Sequence, residues 1–352
     1  MAESTAAKLA EETLEAAEDL LVRAAKPLAV RMRQAVGAAV VDNFFRATAH
    51  TAKWLPIAHP RLHGVEVIRN VRYADGRDRS HTLDIYRPRK REGKVPVVLY
   101  IHGGGFRILS KDSHWLFGLV FARRGYLVMN VGYRLAPKHP FPAAIQDVCA
   151  AYEWLVKHAE EYGGDPERIV IAGESAGANL ATAVTIASTF ERPEPWARKV
   201  FDLGVVPRAV IPACGMLQVS DPERYIRRKH LPVWVSDRLV EVADAYLKGV
   251  KVRHPHELDL CDPLCLLERD QKPERPLPPF FTFVGTADPL LDDTRRLKVA
   301  LERRRVRCDV RYYPGEMHAF HAFVFRNNAR SCWKESFAFL TQHVGKPPPP
   351  QA

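Results

Sequence analysis

The sequence predicts an α/β protein built on a mostly parallel, doubly wound sheet, and three observations carry that expectation. Short apolar runs rich in β-branched residues recur at Val95–Ile101, 126–130, 168–172, Ala209–Ala213, 280–284 and 308–312. Segments of helical composition separate them at 143–162, 176–190 and 292–305. Such alternation places helices on both faces of a parallel sheet. The chain has 352 residues, 47% of them hydrophobic, which suffices for a large core in a single unit of this class.

Along the chain, residues 1–60 are helical in pattern. Ala6, Ala10, Leu14, Ala17 and Leu21 share one face, with Glu11, Glu12, Glu15, Glu18 and Asp19 elsewhere. Pro27 ends this helix, and a second runs to about His50 with Leu28, Met32, Val36 and Val40 on a stripe. Two strands follow, at 65–68 and 81–86, joined through Ala74-Asp75-Gly76. More than sixty residues separate Ala213 from Phe280, too many for one crossover. Within them 235–248 reads as a helix with Trp234, Leu239, Val242 and Tyr246 as its apolar residues. Residues 347–352 form an extended, proline-rich tail.

The chemistry starts at Gly173-Glu174-Ser175-Ala176-Gly177, between a β-branched run and a helical one. A G-x-S-x-G in that setting is a nucleophile elbow, a tight turn that lifts the serine hydroxyl to the top of the sheet. A Cβ at Gly173 or Gly177 would collide where strand and helix pack closely. Upstream, the strand at Val95–Ile101 runs into His102-Gly103-Gly104-Gly105-Phe106. Consecutive glycines leave backbone N–H groups unshielded and able to meet a developing oxyanion, together with the N–H of Ala176. A phosphate loop would continue with Lys-Ser/Thr, whereas Phe106-Arg107 follows here.

A nucleophilic serine needs a base, and the base needs an orienting carboxylate. Asp288 follows the strand at 280–284, and His318 lies in the loop after the strand at 308–312, giving the chain order Ser, acid, His. Asp292 and Asp293 are rivals for the acid, but they fall where a helix starts and read better as dipole partners of its first turn. His321, one helical turn beyond His318, is the rival base.

With these residues in place, the chain resembles the hormone-sensitive-lipase-like esterases of the α/β-hydrolase superfamily. The resemblance rests on His102-Gly103-Gly104-Gly105-Phe106, Tyr133-Arg134-Leu135-Ala136-Pro137, the elbow, Asp288-Pro289-Leu290 and His318-Ala319-Phe320. It implies an α/β-hydrolase fold with an eight-stranded sheet and a helical cap, residues 61–346 being the catalytic domain. It also implies cofactor-free and metal-free carboxylester hydrolysis by Ser175, Asp288 and His318, with Gly103, Gly104 and Ala176 as oxyanion donors. His102 is expected to hold the oxyanion turn rather than act as base. Residues 1–60 and the insertion at 218–258 are expected to form the cap and to favour short- to medium-chain acyl groups. An amidase or acyltransferase would use the same acyl-enzyme, and a non-catalytic receptor or an interfacial lipase would use the same fold. Two departures bear on the pocket mouth. Leu109 stands where the family usually has glycine, and Arg107 follows the aromatic residue, which could favour esters carrying an acidic group.

Composition narrows the remaining choices. The net charge of +11 is diffuse, and its local excess between Arg69 and Lys94 coincides with predicted edge strands, where basic residues prevent edge-to-edge pairing. No nucleic-acid motif accompanies it. The expected partner is a small ester, with an anionic membrane surface or a second copy of the chain left open. Six scattered cysteines read as reduced thiols of a cytoplasmic protein. Cys261 and Cys265 have no matching pair for a metal knuckle, and Pro255 breaks any helical pairing of His254 with His256. The N-terminus lacks the basic and apolar regions of a secretion signal, and no apolar run reaches the roughly 18 residues of a membrane span.

Overall fold

The computed structural model describes residues 58–347 except 91, 92, 229 and 230, together with individual residues between 30 and 51. The expected first helix, with Ala6, Ala10, Leu14, Ala17 and Leu21, lies outside the described residues, as do residues 348–352.

Eight strands form one sheet: β1 (Val65–Arg72), β2 (Thr82–Pro88), β3 (Val95–Ile101), β4 (Leu127–Val131), β5 (Gly164–Glu174), β6 (Ala209–Ala213), β7 (Phe280–Gly285) and β8 (Cys308–Tyr313). Their order is β1-β2-β4-β3-β5-β6-β7-β8. β2 is antiparallel to β1 and β4, and β3 to β8 run parallel. This is the mostly parallel eight-stranded sheet that the sequence predicts. The strands β3, β4, β6 and β7 are buried along their whole length, which is why they read as continuous apolar runs.

Helices cover both faces. α1 (Trp115–Ala122) and α2 (Ala143–His158) flank β4, and α3 (Ala176–Thr189) follows β5, with α4 (Pro195–Asp202) behind it. Successive side chains of β3 feed opposite cores. Val97, Leu99 and Ile101 pack with Ile145, Leu180 and Leu297, whereas Val98 and Tyr100 pack with Phe121, Phe339 and Leu340. Three helices occupy the long insertion after β6: α5 (Glu223–Arg228), α6 (Val233–Tyr246) and α7 (Pro263–Glu268). α8 (Leu291–Arg303) and α9 (Asn327–Val344) complete the two layers.

The chain leaves β3 towards β4 and then crosses back to β5 on the other side of β3. At such a switch point the connections on either side diverge, opening a crevice at the carboxyl ends of the strands. The ends of β3 and β5 carry His102 and Ser175, so topology alone brings the two glycine motifs together.

The second N-terminal segment differs from its sequence reading. Met32, Val36 and Val40, expected to seek a partner, are 60%, 63% and 62% exposed. The face turned towards α6 is polar instead. Arg33 donates to Asp237 at 2.8 Å, and Arg238 donates to the carbonyl of the buried Gln34. α6 presents charged groups here, so hydrogen-bonding residues win the contact over apolar ones. Among the described residues no helix is long and apolar enough to cross a membrane.

Candidate active site

The elbow is a strained turn with a steric explanation. Ser175 sits at φ 57° and ψ −120°, outside the regions that most side chains adopt. A Cβ on Gly177 would lie 2.0 Å from the Ile101 carbonyl oxygen, and one on Gly173 would lie 2.6 Å from the backbone of Gly177. Both glycines are therefore required by backbone packing. The Ser175 N–H donates to the Ala213 carbonyl at 3.0 Å, and the Ser175 carbonyl accepts from Ala178 and Met216. The turn is thus pinned to β6 on one side and to the start of α3 on the other.

Asp288 and His318 are brought together as the sequence predicts. Asp288, fully buried past the end of β7, offers Oδ2 to His318 Nδ1 at 2.9 Å and accepts the Leu290 N–H on Oδ1 at 2.8 Å. Burial works against a charged imidazole, but the Asp288 carboxylate outweighs it and holds His318 well above its usual value. Cys214 follows Ala213 on β6, so it lies between the elbow and His318. Burial pushes its thiol up, keeping it protonated at neutral pH. Ser175 Oγ makes no hydrogen bond among the described residues, and such contacts often tighten only when substrate binds.

The rivals have other tasks. Asp292 pairs with Arg295 in the first turn of α8. Asp293, by contrast, is buried and accepts from the N–H groups of Leu217 and Gln218, from Arg224 and from the Tyr225 hydroxyl. Its dipole role is secondary to anchoring the chain after β6. His321 is enclosed by Phe117, Phe283, Phe320 and Trp333, and burial lowers its pKa to about 4. It is a core histidine.

The loop after β3 holds four residues of positive φ. Gly104, Gly105, Phe106 and Leu109 have φ of 108°, 58°, 59° and 70°. Leu109 thus adopts the conformation that explains the glycine usual at this position, at a cost of roughly 1–2 kcal/mol. His102 holds the turn as expected. Its ring stacks on Tyr133 at 4.2 Å, its Nδ1 contacts the Gly103 carbonyl, and the Tyr133 hydroxyl donates to the His102 carbonyl. Burial and the neighbouring His114 lower its pKa to about 3, which leaves the ring neutral.

One expected donor is already occupied. The Gly103 N–H donates to the carboxylate of Glu174, which also accepts from the Tyr100 hydroxyl and lies 2.7 Å from His114 Nε2. Gly103 is therefore corrected from oxyanion donor to anchor, because a buried carboxylate takes its N–H. Burial opposes the Glu174 charge, but His114 and Tyr100 hold its pKa down at about 2. Among the described residues the N–H groups of Gly104, Gly105 and Ala176 donate to no protein acceptor. Sequence reasoning missed Glu174, although it stands inside the elbow motif between two packed glycines.

The pocket mouth is also settled by charge pairing. Arg107 is bonded to Glu241 of α6, and Arg238 holds the other oxygen of the same carboxylate. The Arg107 guanidinium is thereby held against α6, and the one carboxylate is shared by two cations. Cys214, Asp288 and His318 bring sulfur, oxygen and nitrogen donors within 4.8 Å of one another. Two of these three groups, Asp288 and His318, lie at hydrogen-bond distance, 2.9 Å.

Comparison with known proteins identifies the fold and the family. A family described as having the alpha/beta hydrolase fold matches residues 98–322. The carboxylesterase NlhH of Mycobacterium tuberculosis is 32% identical over 246 residues, 68% of this chain and 71% of that protein. An acetyl esterase of Salmonella schwarzengrund is 32% identical over 230 residues, covering 64% of this chain and 65% of that protein. A bacterial heroin esterase superposes with a TM-score of 0.70 at 25% identity, over 87% of this chain and 90% of that one. The esterase LipW from Mycobacterium marinum, at 22% identity and a TM-score of 0.67 over 88% and 89% of the two chains, shares the fold. With its sheet order, strained Ser175 elbow and paired Asp288 and His318, the chain belongs to the hormone-sensitive-lipase-like branch of the α/β-hydrolases and is a serine hydrolase.

Proposed function

We propose that the chain hydrolyses carboxylic esters through an acyl-enzyme on Ser175, with His318 as base and Asp288 holding the imidazole. The reading rests above all on the 2.9 Å bond from His318 Nδ1 to Asp288 Oδ2, which leaves Nε2 as the nitrogen able to take a proton. Ser175 Oγ attacks the carbonyl carbon and its proton passes to Nε2. The oxyanion that forms is received by the N–H groups of Gly104, Gly105 and Ala176. Collapse of the intermediate breaks the ester C–O bond, and the Nε2 proton leaves with the alcohol. Water then repeats the sequence and releases the acid.

Short to medium acyl chains are the proposed substrates. The similarity to an acetyl esterase supports this, as does the packing of α6 on the glycine loop, where Val242 would lie 2.5 Å from a Cβ added at Gly105. In this reading the insertion and the N-terminal segment form a cap that limits acyl length.

A panel of p-nitrophenyl esters from acetate to palmitate, run beside an amide analogue, tests the proposal. Turnover should be highest for the short esters and far lower for the amide. Ser175→Ala should lose about 10⁶-fold in kcat. Stoichiometric organophosphate labelling at a residue other than Ser175 would overturn the assignment. Activity rising steadily to long-chain emulsions would overturn the cap.

A further inference from the structure

The loop that presents Gly104 and Gly105 holds four left-handed residues between positions 104 and 109, two of them not glycine. A backbone of that kind persists only where its surroundings over-determine it. From the sheet side it receives the Ala136 N–H on the Phe106 carbonyl at 2.8 Å. Its other outward ties come from segments far away in the chain. The Phe106 ring lies flat on Tyr246 at 3.8 Å and 6°. Val242 fills the space beside Gly105. The Leu109 N–H donates to Asp42 at 3.3 Å. Arg107 is bonded to Glu241, which is 7% exposed. Arg238, Glu241, Val242 and Tyr246 fall at i, i+3, i+4 and i+8, so one face of α6 supplies most of these ties.

Glu241 has a special place among them. Its carboxylate sits between two guanidinium groups, those of Arg107 and Arg238, in a site largely withdrawn from water. Without that negative charge the two cations would face each other, and Arg107 would be driven away, taking its neighbours in the loop with it. Gly104, Gly105 and Phe106 directly precede Arg107, so any such movement reaches the oxyanion N–H groups within three residues.

We infer that Glu241 is a positioning residue for ester hydrolysis: by fixing Arg107 it sets the orientation of the Gly104 and Gly105 N–H groups from a helix outside the sheet. The inference rests on the ester-hydrolase reading above.

The test is a double-mutant cycle in the full-length chain with p-nitrophenyl acetate as probe. Glu241→Gln should lower kcat by about 10- to 100-fold while KM stays within about twofold, since a misplaced oxyanion donor weakens the transition state and not the ground state. Labelling of Ser175 by a p-nitrophenyl phosphonate, whose phosphoryl oxygen enters the same hole, should slow in parallel. Glu241→Asp, which keeps the charge, should recover most of the loss, and it serves as the readout if Glu241→Gln does not fold. Arg107→Gln should lower kcat similarly, and the double variant should be no worse than either single one. A folded Glu241→Gln enzyme with unchanged kcat, an effect confined to KM, or fully additive losses would each overturn the inference. A wild-type protein inert to both esters and phosphonate would instead remove the ester-hydrolase reading, and this inference with it.

Discussion

The nucleophile elbow and the glycine loop facing it are both strained turns at the end of a central strand, yet they are held in opposite ways. The elbow is supported by the sheet. Its two glycines meet backbone of β3 and α3, and its N–H and carbonyl are bonded to Ala213 and Met216 on either side of the β6 end. The glycine loop is anchored on the sheet side through Gly103 and Phe106, but its left-handed stretch is otherwise held from outside the sheet, by Tyr246, Glu241 and Val242 of α6 and by Asp42. One half of the site is therefore held by backbone of the sheet and its following helix, whereas the other also depends on side chains from another layer. A site of this construction can keep its nucleophile while its oxyanion geometry is retuned by changes in the insertion.

The sharpest way to break the comparison is a pair of glycine substitutions. Gly177→Ala sets a Cβ 2.0 Å from the Ile101 carbonyl oxygen, with backbone on both sides unable to give way. It should abolish phosphonate labelling and much of the soluble yield. Gly105→Ala meets only a methyl of Val242, at 2.5 Å, and a left-handed φ. It should leave a folded, labelled protein with reduced kcat. An active Gly177→Ala beside a dead Gly105→Ala would reverse the argument.

Next in size is the acid. Asp288→Asn should cut kcat by about 10⁴, because the amide favours the wrong imidazole tautomer. Asp292→Asn should change only stability, by a few tenths of a kcal/mol. Equal losses of activity in the two variants would mean that the acid is misassigned. A smaller effect is expected at the stack on the loop. Tyr246→Leu keeps bulk but loses the ring pair with Phe106, an interaction of about 0.5–1.5 kcal/mol. It should lower kcat more than it raises KM, as measured by steady-state kinetics.

Acidity separates the site histidines by sign. His318 must be neutral to accept a proton, and its pKa is held above the usual 6.5, so kcat/KM should fall with falling pH along a limb that lies above pH 6.5. An acid limb below pH 6 would contradict that environment. For stability, the raised pKa of His318 means that its pairing with Asp288 contributes fully below pH 6.5 and is lost as pH rises through the folded value. His102 and His321 act in the opposite direction, with pKa values lowered to about 3 and about 4. Unfolded chains take up protons that these rings refuse, so stability is lost as pH falls from about 6.5 towards 4. Thermal melts across that range should show the loss, and His321→Gln should flatten it.

How much of this was readable depended on the range over which each residue acts. Ser175 was legible because the elbow is a local turn, defined by glycines two residues to either side. Asp288 and His318 were legible as a pair because each lies in the loop after a recognisable strand. Gly103 misled, since nothing in His-Gly-Gly-Gly-Phe tells which N–H is taken by a carboxylate 71 positions away. Asp293 misled in the same way. It reads as a first-turn acid, yet its partners Leu217 and Gln218 lie 76 and 75 positions away. The stripe of Met32, Val36 and Val40 was a real pattern, but the opposite face of that helix found the partner.

By itself the sequence determined the alternation of strand and helix, the places where only glycine fits and the order of serine, acid and histidine. These follow from backbone sterics and hydrogen bonding between neighbours, which act over a few residues and leave a local imprint. Only the tertiary structure decided which N–H groups stay free, which charges are neutralised and which layer carries the oxyanion loop. Arg107 and Glu241 stand 134 positions apart, and their pairing exists because α6 packs over the glycine loop and withdraws both charges from water, where an unpaired charge is costly.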